Sequence, residues 1–163
     1  GGVGKTTLAK EVYRAAMEEK LFDDVVIILN VKEKDKEKIQ KAITEKLGMD
    51  VDESKDMGKR ANLLRARIKE GKTLVILDDV LERINFEAVG LVGVPHCKLL
   101  LTSRERNVSF YDMHTQKDFQ LGFLTENESW SLFEKMAGNV VKDNRILKEA
   151  TELAKKCGGV PLA

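Results

Sequence analysis

Apolar residues recur at helical spacing in some stretches of this chain and run unbroken in others, and the switching between the two patterns predicts its elements. Leu8, Val12 and Ala16 stand four apart, so Thr6 to about Lys20 reads as a helix with one apolar stripe. The run DVVIILNV, residues 24–31, is continuous and rich in β-branched side chains, as in a parallel-sheet strand covered on both faces. Ile39, Ile43 and Leu47 mark a helix over residues 35–47 that stops at Gly48. Met57, Ala61, Leu64 and Ile68 mark another over residues 56–70 that stops at Gly71. TLVILDD, residues 73–79, and CKLLLTSR, residues 97–104, are two further buried-looking strands.

Strands alternating with helices of this length predict βα units, a parallel sheet and the α/β fold class. The texture changes near residue 123. Thr125 and Glu128 form a capping box for a helix carrying Trp130, Phe133 and Met136, and a last helix over residues 144–157 ends at Gly158, Gly159 and Pro161. The expected division is therefore 1–122 and 123–163, the second part being the start of a helical subdomain. Trp130 reads as the core anchor of its helix. The charged run KEKDKEK, residues 32–38, reads as a solvated loop leading into a helix.

Composition narrows the class without naming a chemistry. The 163 residues carry 28 Lys and Arg against 27 Asp and Glu, so a net charge of +1 gives no whole-chain reason to expect nucleic acid or an acidic membrane as partner. The longest aliphatic run, Val25 to Leu29, is far short of the roughly 20 residues that cross a bilayer, which predicts no transmembrane segment. Cys97 and Cys157 lack any CxxC or Cys/His spacing and read as reduced packing residues of a cytoplasmic protein. His96 and His114 read as ordinary histidines.

The chemistry is concentrated at the amino end, which begins GGVGKTTLAK. The phosphate-loop pattern is G-x-x-x-x-G-K-[ST]; Gly4, Lys5 and Thr6 are its last three positions, and its first glycine and one intervening residue are absent. Glycines without side chains let backbone N–H groups converge on a phosphate, a task for Gly2 and Gly4. The following helix aims its positive end at the same place. Lys5 would reach the β and γ phosphates and the Thr6 hydroxyl would ligate Mg2+. Such a site needs an acidic anchor at a strand tip, and TLVILDD ends in two. Asp78 is assigned to the metal, through water, and Asp79 to positioning the attacking water, the catalytic role. The strand KLLLTSR is a candidate for insertion between the phosphate-loop strand and the acidic strand. Its end would then place Thr102, Ser103 and Arg104 beside the γ phosphate, and the planar fork of Arg104 suits phosphate oxygens.

The ordered series GGVGKTT, TLVILDDV, KLLLTSRERNV, FQLGFLTENESWSLFEKMAG and GGVPLA resembles the NB-ARC domain of plant intracellular immune receptors, the nucleotide-binding leucine-rich-repeat disease resistance proteins. LFDDVVIILNV with IQKAITEKLG is similar to the coiled-coil type, although Leu81 stands where that type usually has tryptophan. The resemblance implies a P-loop NTPase fold and an ATP/ADP switch: ADP held at rest, exchange for ATP on activation, then oligomerisation and defence signalling. By motif, Gly2, Val3, Gly4, Lys5, Thr6 and Thr7 fall on the phosphate loop, Asp78 and Asp79 on the acidic strand, Arg104 on the γ-phosphate sensor and Pro161 on the residue that contacts adenine. The implied partners are an adenine nucleotide and the coiled-coil, winged-helix and leucine-rich-repeat parts of the same receptor. The cut phosphate loop at one end and GGVPLA at the other predict a fragment whose first strand and remaining helical module lie outside it.

Other functions fit less of the chain. A chromosome-partition ATPase shares GGVGKTT, but its acidic strand ends D-T-P-P where this one reads LDDV. A GTPase needs N-K-x-D, which is absent from the sequence. Many vigorous P-loop ATPases carry Glu at the position of Asp79, so turnover is expected to be slow. A non-catalytic copy stays open on sequence grounds.

Overall fold

The computed structural model describes residues 2–50, 56–105, 116–143 and 145–161. They fall into two compact units, Thr6–Asp118 and Gly1–Lys5 with Phe119–Ala163. His114 and the predicted helix start at residue 144 lie outside the described residues.

The first unit is a three-stranded parallel sheet flanked by helices, the α/β arrangement the alternation predicts. Its elements are α1 (Lys5–Glu18), β1 (Asp24–Ile28), a 3-10 turn (Val31–Glu33), α2 (Lys36–Lys46), α3 (Met57–Ile68), β2 (Thr73–Val80), α4 (Phe86–Val89) and β3 (Cys97–Ser103). The strand order is β1-β2-β3, with Val26 opposite Val75 and Val75 opposite Leu99. Every residue of β2 is buried, because alternate side chains enter two cores. Val75 and Leu77 join Ile39, Ile43, Leu64 and Ile68 on one face, while Leu74 and Ile76 meet Ala9 and Ala16 on the other.

Sequence signals placed these helices well where a cap fixed the end. The Asp35 carboxylate accepts the Lys38 N–H at 2.8 Å and the Asp56 carboxylate accepts the Lys59 N–H at 2.9 Å, each satisfying a donor that the first helical turn leaves free. The α1 stripe holds at Ala16, which is buried, and at Val12, which packs against the same cluster; it is corrected at Leu8, which is exposed, with Ala9 buried beside Leu74 and Ile76 instead. Strand β1 ends at Ile28, three residues before the predicted end, because Asn30 turns left-handed at φ 55° and starts the 3-10 turn. The run 32–38 is exposed at all but Lys34 and leads into α2 as expected, and its first two residues, Lys32 and Glu33, lie in that turn.

One buried polar group ties the helices on the larger core. Gln40 is wholly buried; its amide N–H2 donates to the Met57 and Val89 carbonyls, both at 3.1 Å, and its carbonyl accepts the Arg60 Nε–H at 3.1 Å. Gly90, at φ 98°, ends α4 so close to α3 that a Cβ there would lie 2.5 Å from the Ala61 carbonyl oxygen.

The second unit contains α5 (Glu126–Ala137), a 3-10 stretch (Gly138–Lys142) and α6 (Leu147–Lys156). Its capping box is formed as expected: Thr125 Oγ1 accepts the Glu128 N–H at 3.3 Å, and the Thr125 N–H donates to Glu128 Oε2 at 2.8 Å. No residue of α5 is buried. Trp130 stacks on Phe133 at a 5.9 Å centroid distance and is half-buried, while Met136 is exposed, so this helix has a paired aromatic face rather than the expected buried anchor.

Candidate functional site

The carboxyl ends of three adjacent parallel strands lie along one edge of the sheet, the edge at which open α/β sheets bind ligands. From β1 comes the turn with Lys32, from β2 Asp78 and Asp79, and from β3 Thr102 and Arg104. The first helix adds Thr6.

Asp78 is 1% exposed and stands at the centre of this group. The Thr6 hydroxyl donates to its two oxygens at 2.9 and 3.1 Å, and the Thr102 hydroxyl donates to Oδ1 at 2.6 Å. Thus the Lys-Thr pair that opens α1 and the aspartate 72 residues downstream meet at Thr6 and Asp78. Both donors are neutral hydroxyls, and no cation pairs with Asp78 among the described residues. A buried carboxylate and two hydroxyls are oxygen donors of the kind that a hard divalent cation takes. The donor set therefore fits Mg2+ shared between Thr6 and Asp78.

Asp79 occupies an irregular point of the sheet. Leu77 pairs with Leu101 and Val80 with Ser103, so β2 advances three residues while β3 advances two. The extra residue is accommodated by a left-handed backbone at Asp79, φ 62°. Its N–H leaves the ladder and donates to Thr102 Oγ1 at 2.9 Å, so one hydroxyl serves both aspartates. The Asp79 carboxylate holds two cations: Lys32 Nζ at 2.9 Å from Oδ2, and Arg104, whose Nε–H donates to Oδ1 at 3.0 Å and whose Nη2 reaches Oδ2 at 3.4 Å. The Lys32 hydrogen bond, with the Arg104 charge behind it, holds the Asp79 carboxyl below the usual carboxylate range against the opposing effect of burial.

The sequence-predicted residues separate accordingly. Thr6, Asp78, Asp79 and Arg104 are brought together, with Arg104 on Asp79. Thr7 is exposed. Gly2 and Gly4 have φ 82° and 91°, backbone that favours glycine, and Val3 and Lys5 are half-buried. Within the second unit Gly4 and Pro161 are neighbours, a Gly4 Cβ lying 4.0 Å from Pro161 Cγ. His96 is exposed, and its carbonyl accepts the Thr73 N–H.

Two roles were missed. Thr102, expected with Ser103 beside the γ phosphate, instead bridges the acidic pair, a role its position at the strand end does not reveal. Lys32 was absorbed into a charge run. The signal available for it was the strand immediately before it, since a residue following a parallel strand reaches the ligand edge.

Comparison with known proteins gives this arrangement a family. Residues 1–143 match the NB-ARC domain. The whole chain aligns at 36% identity with disease resistance protein At4g27190 of Arabidopsis thaliana, covering 17% of that protein. It also aligns at 34% with disease resistance protein UNI, covering 19%, and at 33% with probable disease resistance protein At1g61300, covering 22%, both from the same plant. The chain thus spans about a fifth of the length of these relatives. On the match over residues 1–143, the chain belongs to the NB-ARC family of nucleotide-binding P-loop domains.

Proposed function

We propose that this chain is the ADP/ATP-binding switch of a plant disease resistance protein, and that its nucleotide state controls the activation of defence signalling. The observation that carries this reading is the meeting of Thr6 with a buried Asp78, flanked by Asp79 and Arg104, at one sheet edge. Gly2, Val3, Gly4, Lys5 and Thr7 form the phosphate loop, with Lys5 as the cation for the β and γ phosphates. Mg2+, held by Thr6 and Asp78, would neutralise phosphate charge. Asp79 orients the attacking water, Arg104 senses the terminal phosphate and Pro161 packs on adenine. The Gly4–Pro161 proximity supports a nucleotide running from loop to proline.

In this reading residues 1–122 are the nucleotide-binding subdomain and 123–163 the start of the helical one, in a cytoplasmic receptor of the coiled-coil type that oligomerises on activation. Hydrolysis is slow and the chain acts chiefly as a switch. The test is nucleotide retention. Lys5→Ala is expected to lose ADP on purification, because a point charge is removed from a multiply charged ligand. Retention of ADP equal to that of the unmodified chain refutes the proposal.

A further inference from the structure

Lys32 and Arg104 both pair with Asp79, but they use its carboxylate differently. Lys32 Nζ takes Oδ2 at 2.9 Å, while the shorter Arg104 contact is to Oδ1 at 3.0 Å. One cation can therefore leave without stripping the other from its oxygen. Their settings also differ. Lys32 sits in the 3-10 turn anchored by buried Val31, and the turn is closed by the Lys34 N–H on the Val31 carbonyl at 2.9 Å. Arg104 follows the last residue of β3, and its side chain is 54% exposed against 31% for Lys32. The Asp79 side chain is only 12% exposed, so leaving it with no cation is costly.

We propose that Lys32 is a positioning residue of the switch: it keeps Asp79 paired when Arg104 leaves for the terminal phosphate of ATP, and so makes that departure energetically accessible. The inference rests on Arg104 being the phosphate sensor. With Lys32 present, transfer of Arg104 exchanges one anion for another and leaves Asp79 compensated. Without it, Arg104 is retained by Asp79, and ATP loses the contact that distinguishes it from ADP. A charge-assisted hydrogen bond is worth about tenfold or more in affinity, which sets the scale of the loss.

The experiment measures binding of ADP and of a non-hydrolysable ATP analogue by calorimetry, with Mg2+, for the full chain and five variants. Lys32→Met is expected to lower the analogue-to-ADP affinity ratio about tenfold with ADP binding nearly unchanged, and Lys32→Gln to do the same. Lys32→Arg is expected to keep the ratio. In an Arg104→Gln background, adding Lys32→Met is expected to change the ratio no further. If Lys32→Met weakens both nucleotides equally, or its effect adds fully to that of Arg104→Gln, the positioning role is overturned while the sensor reading stands. If Arg104→Gln alone leaves the ratio unchanged, the sensor assignment is wrong and the inference fails with it.

Discussion

Replacing Thr102 by valine keeps the side-chain shape and removes the hydroxyl that joins the two aspartates. Two hydrogen bonds disappear: the donation to Asp78 Oδ1 at 2.6 Å and the acceptance of the Asp79 N–H at 2.9 Å. The first involves a carboxylate and is worth about 1.5–3 kcal/mol; the second leaves a donor unsatisfied at about 1–3 kcal/mol. Thr102 is only half-buried, so water recovers part of both, and a net loss of about 2–4 kcal/mol is expected. The left-handed backbone at Asp79 adds to the effect, because strain persists only where neighbours hold it. For a chain of this size each kcal/mol lowers the melting temperature by about 2–4 °C. Thermal unfolding followed by circular dichroism without nucleotide should show Thr102→Val melting roughly 5–15 °C below the unmodified chain. Thr102→Ser keeps the hydroxyl, loses one methyl group and should cost about 1 kcal/mol or less. A valine variant that melts within about 2 °C of the parent, or no more than the serine variant falls, would refute the bridging role.

Two further outcomes are expected. Gly90→Ala places a Cβ 2.5 Å from the Ala61 carbonyl oxygen at a backbone φ of 98°, so α3 and α4 must separate; denaturant unfolding should show a loss of about 2–4 kcal/mol. Cys97 has its thiol pushed up to about 11 by burial. In a Cys157→Ser background, alkylation at pH 8 followed by mass spectrometry should be slow in the folded chain and fast on unfolding. Because the folded state holds the Cys97 proton more tightly than the unfolded one, its contribution to stability is intact below about pH 9 and erodes as pH rises towards about 11. Alkylation at equal rates in both states would show that the thiol is not shielded.

Local chemistry made most of the fold legible. Asp35 and Asp56 cap α2 and α3 within reach of their own helices, and β2 is apolar throughout because both its faces are covered. Short or tertiary features were not legible. Helix α4 is a single turn, too short to show a period. In α1 the period includes Ala16 correctly but takes bulky Leu8 for a core residue, whereas the buried partner is its small neighbour Ala9. For the site, Thr6, Asp78, Asp79 and Arg104 could be read from motif spacing. Lys32 could not, since a lysine among Lys and Glu looks solvated until β1, which precedes it, is laid beside the strand that carries Asp79.

Gln40 gives the helical layer a single permitted seating. Its amide finds all three partners only at one placement of α2, so a one-residue slide would strand the Met57 and Val89 carbonyls and the Arg60 guanidinium together. The turn carrying Lys32 ends three residues before α2 begins and inherits that alignment. A glutamine within the helical layer thereby bears, through helix indexing, on where the lysine meets its aspartate.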